Sequence, residues 1–126
     1  MINEGKRAWL QTILSSVYAA SDKVYQKRIW INGIGPECDD FDETSESILG
    51  DGREILKAYK EAGMTEDQYH IFKKFRDEYE AFCDKPGLEH YLPELFIDTQ
   101  EWTKITELAK EVIKTFDYHY VYPSQS

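Results

Sequence analysis

Over residues 6–29 the apolar positions Trp9, Ile13, Val17, Ala20 and Val24 recur at steps of three and four, with Leu10, Leu14 and Tyr25 alongside. At 3.6 residues per turn such positions fall on one stripe, so the spacing predicts one long amphipathic helix. It is expected to stop before WINGIGP, where two glycines and Pro36 end helical propagation. A short helix is expected over residues 43–49, with Gly50 as its C-terminal cap. Asp51 is placed to cap a further helix that runs through Ala62 and stops at Gly63.

Thr65 and Gln68 stand at capping-box spacing and open a helix that reaches about Phe82. Its buried stripe is expected to be Tyr69, Phe72, Phe75, Tyr79 and Phe82, with Arg76 contributing its aliphatic stem. KPG at 85–87 breaks that helix, and LEHYLPELF reads as a short helix or turn punctuated by Pro93. Asp98 and Glu101 repeat the capping-box spacing ahead of Trp102, Ile105, Ala109, Val112, Ile113 and Phe116. Strand candidates are confined to IWI at 29–31 and YVY at 120–122, each short enough to be a helix end. No internal repeat or interdomain linker interrupts the pattern. The reading is an all-α single domain over residues 1–126, a bundle of four or five helices.

A chain of 126 residues with 41% apolar and 14% aromatic content can bury a real core, and its apolar runs are far too short to cross a bilayer. The N-terminus MINEGKRAWLQ has no small-residue cleavage site behind an apolar run, so no signal peptide is expected. Cys38 and Cys83 match neither a zinc pattern nor a CxxC pair, and a cytoplasmic protein with reduced thiols is the simplest expectation.

Charge changes this picture more. The formal net charge is −9, yet residues 1–36 balance to +3 while residues 37–54 balance to −7. GIGPECDDFDETSESILGDG, residues 33–52, holds seven acidic side chains and no basic one. Such a surface repels phosphate, which argues against nucleic acid and anionic membranes as partners.

Two catalytic or metal-binding spacings occur in this stretch, and neither has the context its chemistry needs. Asp40, Asp42 and Thr44 have the DxDxT spacing of aspartate-nucleophile phosphatases, but that chemistry needs the first aspartate at the end of a buried strand, which GIGPECD cannot form. Read as a calcium loop starting at Asp40, the run puts Ser45 where a glycine is needed and Asp51 where a glutamate is needed. His70, His90 and His119 have no i, i+4 histidine partner and no neighbouring cysteine, and Cys83 ends an aromatic stripe like a small core residue. The expectation is no catalytic residue, no metal site and no cofactor.

What remains is an interface. The acidic run is interleaved with Phe41, Ile48 and Leu49, and an apolar centre with a charged rim is the anatomy of a partner-binding surface. Glu37, Asp39, Asp40, Asp42, Glu43 and Glu46 are expected to meet a basic partner as substitutes for phosphates, with Phe41 and Trp30 as apolar anchors. Replacing Asp39, Asp40 and Asp42 together by asparagine is then expected to leave the fold intact. Trp9 and Trp102 read as core, whereas Trp30 is either core or a foot beside the charged surface. The tail tyrosines Tyr118, Tyr120 and Tyr122 are expected to dock on the bundle or to anchor a partner.

WINGIGPECDDFDE, followed by the helical GDGREILKAYKEAGMT, resembles the small acidic immunity proteins of bacterial toxin–immunity pairs, including those of contact-dependent growth inhibition. The resemblance spans about residues 25–85 and is one of character. It implies a cytoplasmic, non-enzymatic protein that binds the C-terminal toxin domain of its own operon; it does not identify the toxin's chemistry, for which a basic nuclease, an RNase first, is the expectation. The alternative is a regulatory or adaptor helical domain with another basic protein partner.

Overall fold

The computed structural model describes residues 2–120. Six helical segments pack around one main core, and no strand occurs among the described residues. They are α1 (Glu4–Ser21), α2 (Lys23–Tyr25, wound on as a π-helix over Gln26–Ile31), and α3 (Phe41–Glu46, continued through π-helical Ser47–Asp51 and α-helical Gly52–Lys57). After them come α4 (Glu66–Cys83), the short α5 (Pro93–Phe96) and α6 (Gln100–Thr115). Helix α6 packs against both α1 and α4, and α3 with its continuation packs against the same two helices. Trp102, Tyr79, Phe72, Phe75, Phe82 and Phe96 are fully buried together with Ile13, Leu14, Val17, Ile48 and Ile55. Trp9 is only half-buried at the edge of this core.

The long first helix expected from periodicity is two helices. Asp22 is extended (φ −125°, ψ 103°), and its Oδ1 accepts the backbone N–H of Val24 at 2.9 Å and of Tyr25 at 3.2 Å. A short carboxylate that captures nearby N–H groups competes with helix propagation. The break turns the stripe: Val24 is 74% exposed, and Gln26 takes the buried position.

Capping decides the other boundaries. Asp40, not residue 43, opens α3, accepting the Glu43 N–H at 2.8 Å, and the helix runs straight through Gly50 and Asp51 to Lys57. Neither residue is a cap. Buried positions Phe41, Thr44, Ile48, Gly52 and Ile55 keep the apolar face continuous at steps of three and four. A further turn ends at Gly63, as expected; its φ is +84°, and the Met64 N–H reaches the Tyr59 carbonyl at 2.9 Å. The Thr65–Gln68 capping box forms in full. At α6 the cap is Thr99, whose Oγ1 accepts the Trp102 N–H at 3.2 Å, one residue after the Asp98 read from spacing. Glu101 instead holds Lys85 and, at 3.1 Å, His90.

IWI is the end of a π-helix, not a strand. Tyr120 docks on the bundle, stacked on Tyr18 at 4.4 Å between ring centroids, and Tyr118 packs against the core edge. Val121 and Tyr122, the rest of the second strand candidate, lie outside the described residues.

Candidate partner-binding face

The glycine-rich turn after α2 exists to bring Glu37 back to Arg28. Nη1 and Nη2 of Arg28 donate to the two carboxylate oxygens of Glu37 at 2.9 and 2.8 Å, and Nη1 also reaches the Ile34 carbonyl at 3.1 Å. Gly35 sits at φ +132°, and a Cβ there would stand 2.2 Å from Arg28 Nη1, so only glycine admits this fork. The Arg28 hydrogen bonds draw the Glu37 carboxyl down to about 2 from 4.5, and the Tyr120 hydroxyl adds a bond at 3.1 Å. The Glu37 side chain is 6% exposed.

Asp39 is equally committed. Its Oδ2 accepts the Tyr25 hydroxyl at 2.8 Å, the Trp30 indole N–H at 3.0 Å and the Thr44 hydroxyl at 2.9 Å. Burial, followed by this bond to Asp39, pushes the Tyr25 phenol well above its usual range. Two of the six acids assigned to a partner are therefore internal ties joining α2, the loop and α3. Phe41 is corrected in the same way: it is a core residue, 6% exposed, packed on Phe96, Tyr79 and Trp102, and does not project as an anchor.

Asp40, Asp42, Glu43 and Glu46 are exposed on the first turns of α3. The DxDxT run thus opens a helix instead of ending a strand. Among the described residues no group of three or more His, Cys, Asp or Glu side chains is arranged to hold a metal ion.

Asp42 meets the segment before α5, where the short helix or turn expected of LEHYLPELF is a 3-10 turn over Leu88–His90 followed by α5, which Pro93 opens. The Tyr91 hydroxyl donates to Asp42 Oδ2 at 3.1 Å, and this bond raises the Tyr91 phenol above its usual range. Between the two segments runs an open groove of about 170 Å³, with Trp30 and Phe41 from one side and Tyr91, Leu92 and Pro93 from the other. Trp30 and Phe41 line a recess; they do not form a protrusion. In the same stretch of chain Leu88 (63%), Tyr91 (53%) and Leu95 (51%) are exposed. A signal for this was present: LEHYLPELFI carries more apolar residues than one turn of helix can bury, and Phe96 and Ile97 already fill the core.

The start of α3 and residues 91–93 thus meet at an aromatic recess bordered by Asp40 and Asp42, with exposed carboxylates and exposed apolar side chains along the same two stretches of chain. No protein-family model, curated protein or solved structure matches the chain.

Proposed function

We propose that the chain is an immunity protein that binds and neutralises a basic toxin domain, a nuclease and first of all an RNase, in the bacterial cytoplasm. The observation that carries this reading is the separation of the acidic stretch into two sets. Glu37 and Asp39 are consumed inside the fold, whereas Asp40, Asp42, Glu43 and Glu46 are exposed, and Asp42 meets the stretch that carries exposed Tyr91, Leu88 and Leu95. Asp40 caps α3 and Asp42 holds Tyr91, but four exposed like charges over two turns repel one another and have no cation among their bonds to the described residues, so a partner of opposite sign is what they suit. The apolar side chains supply area to bury, and the carboxylates supply steering and register.

Binding would occlude the toxin's nucleic-acid groove by presenting carboxylates where phosphates otherwise sit. The test is to produce the effector domain encoded beside this gene and measure protection of cells and direct binding. Protection with stoichiometric, salt-sensitive binding supports the reading. A neighbouring gene product that is neither toxic nor bound removes it, and stable co-purification with an unrelated basic protein favours the adaptor alternative.

A further inference from the structure

We propose that the groove between the start of α3 and residues 91–93 is a receptor for a single arginine side chain presented by the partner. This rests on the reading of the chain as a binder of a basic protein, and it assigns that partner's anchoring residue.

The lining selects the chemistry. Trp30, Phe41 and Tyr91 bring three aromatic rings to one recess, and Asp40 and Asp42 bring two carboxylates to its edge. The carboxylates supply the counter-charge for a cation, and the aromatic surface accepts the apolar, weakly hydrated body of the side chain that carries it. A neutral apolar side chain would strand those carboxylates against a non-donor, and an anion would be repelled. Between the cations, guanidinium fits better than ammonium. It is planar, weakly hydrated, stacks on rings and carries donors in a fork that serves two acceptors.

The acceptors are prepared. Asp40 Oδ1 accepts the Glu43 N–H at 2.8 Å, which holds that carboxylate at the groove. Asp42 Oδ2 accepts the Tyr91 hydroxyl at 3.1 Å, which orients the carboxylate and leaves Oδ1 to a ligand. Trp30 is held by its own bond to Asp39 at 3.0 Å and by ring contact with Phe41 and Trp102, so the aromatic side of the recess is rigid before binding. With Trp30 already held, that part of the ordering cost is met before binding.

Size agrees. A groove of about 170 Å³ admits one side chain. It lies below the roughly 300–1,000 Å³ typical of small-molecule sites.

The experiment titrates the isotope-labelled full chain with N-acetyl-arginine methylamide, following the Trp30 indole N–H and the Asp42 and Tyr91 amides by NMR. The lysine and citrulline methylamides are the comparison probes. The expected result is saturable shifts at these three positions with arginine, at a dissociation constant on the order of millimolar, several-fold weaker with lysine and absent with the uncharged citrulline probe. Asp42→Asn should weaken arginine binding about tenfold or more, and Tyr91→Ala should abolish the shifts. Glu111→Gln, which removes an exposed carboxylate on α6, should leave them unchanged, and circular dichroism of each variant confirms folding. Equal response to arginine and citrulline, or an undiminished response in a folded Asp42→Asn variant, overturns the arginine receptor. Those outcomes leave the immunity reading to its own protection test, which uses the wild-type chain and the toxin domain. Loss of protection with the arginine response intact would remove only the immunity reading.

Discussion

The indole N–H of Trp102 donates to the side-chain carbonyl of Gln26 at 2.9 Å, in the fully buried heart of the bundle. The amide nitrogen of the same Gln26 donates to the carbonyls of Ala19 and Ala20 at 2.9 and 3.0 Å. One glutamine thus satisfies the frayed C-terminal end of α1 and ties α2 to α6. Gln26→Leu keeps the volume but strands an indole N–H and two carbonyls. It should cost ~2–4 kcal/mol, since each buried orphan is worth about 1–3. Urea denaturation should show a lower midpoint with the slope preserved.

The acidic stretch should divide by mutation as it divides in space. Asp39→Asn places an amide against three donors and should destabilise by ~1–3 kcal/mol. The combined asparagine replacement of Asp39, Asp40 and Asp42, expected from sequence to spare the fold, should not spare it. Asp42→Asn with Glu43→Gln and Glu46→Gln should leave stability within about 0.5 kcal/mol. It should slow association with the toxin domain and flatten the salt dependence, because rim charge acts mainly on the on-rate. Unchanged rates at every salt concentration would place the binding face elsewhere.

Acid should act through Glu37. Its carboxyl is lowered from 4.5 to about 2 in the fold, chiefly by the Arg28 fork. A depressed acid contributes stability that is fully present above pH 4.5 and lost as pH falls toward 2. Because Arg28 is partly solvated, the contribution should be ~1–2 kcal/mol. Glu37→Gln should be less stable at neutral pH and should show a shallower loss between those two values. Parallel curves for variant and wild type would contradict this.

The two thiols should differ in reactivity. Cys38 is exposed in the loop, whereas burial pushes the Cys83 thiol up to about 12 from 9. Iodoacetamide at about pH 8 should therefore label one cysteine per native chain, because the thiolate is the reactive form. Mass spectrometry after labelling in denaturant should find both modified. Rapid native labelling of Cys83 would show that the end of α4 opens readily.

Local chemistry in the chain determined much of this protein. The Thr65–Gln68 box, the stop at Gly63 and the apolar stripes of α4 and α6 each depend on residues within a turn of one another, so spacing alone reports them. The all-α class followed from those stripes. The address of the charge was equally legible, because composition needs no coordinates.

What the tertiary structure decided is where each charged or aromatic side chain spends its bonds. Asp22 and Val24 look like members of a continuous helix until the Asp22 carboxylate takes two N–H groups and the stripe turns. Glu37 and Asp39 look like Asp42 and Glu46, and only the return of the loop to Arg28, Tyr25 and Trp30 makes them internal. Tyr91, 49 positions from Asp42, joins the acidic face through a contact that no local period encodes. Periodicity reports which face of an element is wet, because that is a property of neighbours in sequence. Pairing between elements depends on how faces dock, and that is set by the packing of the whole core.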